Sequence, residues 1–121
     1  MNETDISRAI LAMIRKEFGD MITITRHHCG LAKGWHGGII KLGDNYWSDY
    51  IGYAADGHFV GIEVKDPKGK TARQRKEGQQ AFRERANRSG AYVIETDGIE
   101  DCRNQLAAIR EKILLHLRVA A

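Results

Sequence analysis

The sequence predicts an α/β fold, a mixed β-sheet flanked by helices in the order α-β-β-β-α-β-α. Three observations carry this. Apolar residues recur at helical spacing in two segments, one near each end of the chain. Two alternating segments flank "ADG", a hairpin signal. A strand, a helix and a second strand then follow one another over residues 58–95, a βαβ unit whose strands run parallel and whose crossover is right-handed in nearly all cases. An antiparallel hairpin joined to a parallel pair gives a mixed sheet, and helices before, between and after its strands cover it.

Each element has its own signal. Ile6, Ile10, Met13, Ile14 and Phe18 share one face, so residues 4–18 form an amphipathic helix that Gly19 ends. "MITITR" (21–26) alternates as a strand. Residues 27–47 are glycine-rich and irregular, with room for one short strand at 38–42. "DYIGYA" (49–54) and "HFVGIEVK" (58–65) are the hairpin strands. A helix over about 72–89 starts at Thr71, where Thr71-x-x-Gln74 makes a capping box, and stops near Gly90. "AYVIE" (91–95) is the next strand. Ile99, Cys102, Leu106, Ile109, Ile113 and Leu117 mark a long final helix behind an Asp97 cap.

A chain of 121 residues with 42% apolar and 29% charged residues suits one globular domain over 1–121. The polar, acidic opening "MNETDIS" is unlike a signal peptide, and no apolar run approaches membrane-spanning length. Two distant cysteines, Cys29 and Cys102, suit free thiols in a reducing compartment, so a cytoplasmic location is expected. The net charge of +3 is unevenly spread. Lys68, Lys70, Arg73, Arg75, Lys76, Arg83, Arg85 and Arg88 face only Glu77 and Glu84, which makes that segment +6. The remainder, with 11 basic and 14 acidic residues, is −3. A basic stripe beside an acidic body is the footprint of a protein that binds a phosphate backbone, although a solvated helix face has the same composition.

The chemistry concentrates in "GIEVKDPKGK" (61–70). In strand 58–65, Val60, Ile62 and Val64 point to one face, and Phe59, Gly61, Glu63 and Lys65 to the other. An acid and a base in a strand of this kind need a reason. Whether Asp49 joins them depends on hairpin parity. A two-residue Asp56-Gly57 loop would set Asp49 against Val64, whereas a three-residue loop with Gly57 left-handed sets it opposite Glu63. The second register is expected. Two carboxylates at that separation repel unless a cation lies between them. Oxygen donors suit Mg²⁺ or Mn²⁺, with the Val64 carbonyl as a third protein ligand. Lys65 is then placed to orient a water or to stabilise a pentavalent phosphorus transition state. Phosphodiester hydrolysis is the indicated reaction.

Asp49…Glu63-Val64-Lys65 with the helix that follows resembles the PD-(D/E)xK nuclease superfamily, whose fold is restriction-endonuclease-like. More narrowly, "SDYIGYAADGHFVGIEVKDPKGKT…QQAFRERANRSGAYVI" resembles the virus-type replication-repair nuclease family, VRR-NUC. The likeness covers about residues 3–96 and is most specific over 48–71. It implies an Asp, a Glu-x-Lys and a helix glutamine around Mg²⁺ or Mn²⁺, with activity on branched DNA such as four-way (Holliday) junctions. Asp49, Glu63 and Lys65 match position by position, and Glu3 matches an acidic residue often found near the start of family members. Ser48 stands before the metal aspartate, where the family has proline or serine, and the bulky "NYW" precedes it where glycine is common. Gln74, Gln79 and Gln80 compete for the glutamine. Gln79 is preferred, since it carries the Gln-x-x-Phe pattern with Phe82 and the usual distance to Gly90, and Gln74 is already engaged in the capping box. The likeness also implies a role in DNA repair or recombination, and a phage or bacterial source.

DNA contacts are expected from Arg26, Lys33, Lys68, Lys70, Arg73, Arg75 and Lys76, with Trp35 and His36 also available from the glycine-rich segment. His27, His28, Cys29 and His36 lack a second ligand pair at zinc-finger spacing, and the scattered glycines make no nucleotide-phosphate loop. No nucleotide cofactor and no membrane partner are expected. Small size and the surplus apolar surface of the last helix point to a homodimer. A sequence-specific restriction-like nuclease, or a DNA-binding module without catalysis, are the rival readings.

Overall fold

The computed structural model describes residues 3–27, 30–33, 39–42, 47–65 and 73–120. Helix α1 (Glu3–Glu17) leads into β1 (Ile22–Arg26), followed by β2 (Gly30–Lys33), β3 (Ile39–Leu42), β4 (Tyr50–Ala54) and β5 (Phe59–Val64). Helix α2 (Arg73–Arg88), β6 (Tyr92–Thr96) and α3 (Ile99–Ala120) complete the chain. The fold is mixed α/β. Four strands form one sheet in the order β1-β4-β5-β6, antiparallel except for the parallel β5–β6 pair that α2 connects.

The hairpin adopts the three-residue loop. Tyr50 pairs with Ile62 and Gly52 with Val60. The Gly57 N–H donates to the Ala54 carbonyl at 2.9 Å with Gly57 at φ +86°, a left-handed conformation that a side chain disfavours. Val60, Ile62 and Val64 enter the core with Ile10, Ile14, Leu106 and Ile113, so α1 and α3 cover that face. Tyr50 belongs to the same face, its hydroxyl 2.6 Å from Ser7 Oγ of α1. Helix α2 lies over the other face. Burial on both sides explains why β5 is buried from Val60 to Val64 instead of alternating.

Two expectations need correction. The glycine-rich segment holds two strands, since β2 and β3 pair antiparallel as a separate ribbon. Ladder bonds come from the backbone, and a four-residue strand beginning at Gly30 leaves little alternation to read. The cap position of α3 belongs to Gly98, not Asp97: the Gly98 carbonyl accepts the Cys102 N–H at 3.0 Å, and Thr96 Oγ1 donates to that same carbonyl at 3.0 Å. The Thr71–Gln74 capping box lies outside the described residues. Cys102 is a free thiol in the core, its pKa pushed up to about 12 by burial and then by the charge of Asp101. Among the described residues, no helix is long and apolar enough to cross a membrane.

Candidate functional site

Two registers assemble the site. The β4–β5 ladder, continued one step beyond Tyr50 and Ile62, sets Asp49 opposite Glu63. The parallel ladder pairs Glu63 with Glu95. Residues paired in this way project to the same face. Asp49, just before β4, therefore shares one face with Glu63 of β5 and Glu95 of β6, beneath α2.

Asp49 is anchored from both sides. Its Oδ2 accepts the Val64 N–H at 2.8 Å, and its carbonyl accepts the His27 N–H at 2.7 Å. Ser48 before it is 1% exposed and packs on Gly61, where an added Cβ would come within 2.6 Å of Ser48 Oγ. Glycine at 61 thus lets the chain carrying Asp49 lie against β5. Burial pushes the Asp49 carboxyl above its ordinary range, and the Val64 N–H and the charges of Arg75, Arg26 and His27 offset this only in part. An acid in this state favours a nearby cation.

Glu63 is 8% exposed, and its Oε1 accepts from Gln79 Nε2 at 2.6 Å. Of the competing glutamines, Gln80 instead donates to Glu84 at 3.0 Å on the exposed side, and the Gln74 side chain lies outside the described residues. Lys76, Gln79 and Arg83, at helical spacing, line a cleft of about 280 Å³ with Glu63, Lys65 and Glu95, and Gln80 stands at its exposed edge. Val64 also lines this cleft. A larger hollow of about 600 Å³, lined by Trp47, Phe59 and Phe82, lies further along α2. Its lining is mostly apolar, with Asp56 and His58 at one end, so the smaller cleft with its convergent charges is the better site for phosphate chemistry.

Lys65 and Glu95 are the pair sequence reasoning left half read. Lys65 Nζ lies 4.0 Å from Glu95 Oε1, and Arg83 Nη1 lies 3.0 Å from Glu95 Oε2. Glu95 is thereby shared between two cations, one of which is the lysine of Glu63-Val64-Lys65. Arg83 was legible in principle from its place four residues after Gln79, whereas Glu95 needed the parallel register of β6 on β5.

The remaining expected residues divide. Arg26 ends β1, and with Arg75 of the first turn of α2 its charge reaches Asp49. Lys76 lines the cleft. Glu3 begins α1, Lys33 ends β2 and Arg73 begins α2, but their side chains lie outside the described residues, as do Lys68, Lys70, Trp35 and His36 entirely. Of the residues weighed for zinc, only His27 is described. Its Nε2 is buried without a hydrogen-bond partner among the described residues, and its ring lies 6.2 Å from that of Trp47. No family model, curated protein or solved structure matches the chain.

The donor set fits a hard divalent cation. The Asp49 and Glu63 carboxylates and the Val64 carbonyl offer oxygen only, the ligand type that magnesium and manganese prefer. Glu95, already shared between Lys65 and Arg83, serves instead to hold those cations at the rim of the cleft.

Proposed function

We propose that the chain is a Mg²⁺- or Mn²⁺-dependent DNA endonuclease of restriction-endonuclease-like fold, similar to the VRR-NUC nucleases, that hydrolyses phosphodiester bonds in branched DNA such as four-way junctions. The observation that carries the proposal is the register that aligns Asp49 with Glu63 while Gln79 holds Glu63 and Lys65 stands at the same cleft.

Asp49, Glu63 and the Val64 carbonyl would hold the cation. When bound, it supplies Lewis-acid stabilisation of charge on the phosphate and acidifies a coordinated water. The chain's own residues do the rest. Gln79 fixes the Glu63 carboxylate by donating to Oε1. Glu95 holds the Lys65 ammonium near the cleft, where it orients the attacking water and neutralises charge building on the phosphate oxygens. The first turn of α2 has no acidic residue and carries Arg75 and Lys76, so backbone N–H groups and side-chain cations both favour a phosphate there. Affinity for DNA should accordingly fall steeply with salt.

A symmetric dimer would present two such clefts to two strands. Leu115, Leu117 and Val119 near the end of α3 are 57%, 36% and 80% exposed, which gives a partner subunit apolar surface to cover. A monomer by light scattering at micromolar concentration would remove this part of the proposal.

The test is cleavage of labelled four-way junction, flap and linear duplex DNA in Mg²⁺, Mn²⁺ or EDTA, comparing the wild type with Lys65→Ala. Metal-dependent junction cutting that Lys65→Ala abolishes is expected. Cutting confined to flap or linear DNA would keep the chemistry and discard the junction. Binding without cutting under either metal would leave a DNA-binding module.

A further inference from the structure

At the far end of β5 from the cleft, four polar side chains from three parts of the chain meet. Asp56 lies in the hairpin loop, His58 just before β5, Tyr92 at the start of β6 and His116 in α3. Asp56 Oδ2 lies 2.8 Å from His116 Nδ1 and accepts the Tyr92 hydroxyl at 2.5 Å, and that hydroxyl lies 2.9 Å from His116 Nδ1. The His58 and His116 rings stack 5.0 Å apart at 20°. One donor atom from each of Asp56, His58 and His116 lies within 4.8 Å of the other two.

Hydrogen bonding around these groups has the form found around metal ligands. His58 Nδ1 lies 2.5 Å from the Gly90 carbonyl, which can only accept, so Nδ1 carries the proton and the neutral ring keeps its lone pair on Nε2. A ligating histidine is commonly oriented in this way, its other nitrogen bonded to a backbone carbonyl. The Asp56 carboxylate is held in turn by Tyr92 and, through Oδ1, by the His58 N–H at 3.1 Å. The Asp56 side chain is 2% exposed, whereas that of His116 is 46% exposed, which leaves a way in.

From this cluster we infer that Asp56, His58 and His116 form a site for a borderline divalent cation, Zn²⁺ before others, separate from the carboxylate cleft. Two imidazoles and one carboxylate are a set that zinc accepts, with water in the fourth position and Tyr92 hydrogen-bonded to Asp56 outside it. His116 binds through Nδ1, its proton moving to Nε2, and His58 through Nε2. The three side chains already lie close enough for a shared cation, and closing the site requires the stacked imidazoles to turn until their in-plane lone pairs converge. The cation fastens the hairpin to α3. This site does not depend on the nuclease proposal, and its donors differ from the oxygen-only cleft.

The test is titration of the chelator-stripped full chain with Co²⁺, followed by the visible absorption of tetrahedral cobalt and competed with Zn²⁺. One equivalent per chain is expected, with bands that Zn²⁺ abolishes. Affinity should fall at least about 100-fold in His116→Ala and in His58→Gln. Glu63→Gln should leave the bands intact. Circular dichroism shows whether His116→Ala still folds, and His58→Gln decides if it does not. Absence of saturable bands, or bands that persist in folded His58→Gln or move with Glu63→Gln, would overturn the inference.

Discussion

Two aspartates on one hairpin, Asp49 before β4 and Asp56 in its loop, have been brought by the fold into opposite states. Burial alone would raise both. At Asp56 the hydrogen bonds of Tyr92, His116 and the His58 N–H outweigh it and hold the carboxyl below its ordinary range. At Asp49 one backbone N–H and more distant cations do not outweigh it, and the carboxyl stays above its ordinary range. Burial is therefore not what sets the two carboxylates apart. The distinction is whether the protein supplies the donors itself. Asp56 is already stabilised as an anion by its neighbours before any cation reaches the histidine cluster, whereas the donors around Asp49 do not offset its burial.

The largest expected difference is in cleavage. Asp49→Asn should slow single-turnover cutting of a four-way junction by about 10²–10⁴-fold, the range for losing metal-dependent transition-state stabilisation. Asp56→Asn should leave the rate within about threefold. Equal losses from both would end the contrast.

Stability should run the other way. Asp56→Ala leaves the Tyr92 hydroxyl and the His116 ring without their common acceptor, a cost of about 1–3 kcal/mol. Thermal unfolding should show this as a lower Tm, by roughly 4 °C for each kcal/mol in a domain of this size.

Asp49→Asn should instead raise the Tm in EDTA at pH 7 by a smaller amount, because a native carboxyl with a raised pKa binds its proton more tightly than the unfolded chain does. Its ionisation subtracts from stability at neutral pH. That loss develops as pH rises from the ordinary value of 3.8 through the raised native one, and it is absent below both. The advantage of the Asp49→Asn variant over wild type should therefore shrink to nothing as pH falls toward 3.8, as melting curves across a pH series would show.

The smallest effect separates two adjacent glutamines. Gln79→Ala frees the Glu63 carboxylate from its amide donor and should slow cleavage about tenfold, whereas Gln80→Ala, whose amide serves Glu84 on the exposed side, should change it less than about twofold. A rate assay on the two variants side by side decides it.

Much of this was legible in the sequence because one-dimensional parity carries it. A single choice of loop length at Ala55-Asp56-Gly57 fixed which residues Asp49, Glu63 and Lys65 would face, and the pairing of Tyr50 with Ile62 agrees with that choice. Gln79 follows from the family resemblance, by its pattern with Phe82 and its distance to Gly90, and it is the glutamine that bonds Glu63. Glu95 was not legible, since its importance depends on the parallel register with β5, which no local signal sets. The Asp56–His58–His116 cluster was invisible for the same reason: His116 is distant in sequence and meets the hairpin only through the packing of α3. Of the β2–β3 ribbon only the strand at 38–42 was legible; β2 escaped because it is short and begins at glycine.

The most direct measurement is the thermal unfolding of wild type and Asp49→Asn, each in EDTA and in saturating Mg²⁺, an ion that prefers the oxygen cleft to the histidine cluster. If Asp49 and Glu63 are held ready for a cation, Mg²⁺ raises the wild-type Tm, with a gain of about 2.7 kcal/mol at a hundredfold excess over Kd, and leaves the variant unmoved. A wild-type Tm indifferent to Mg²⁺, or equal shifts in both proteins, would contradict the paired carboxylates as a cation site and the nuclease proposal with them.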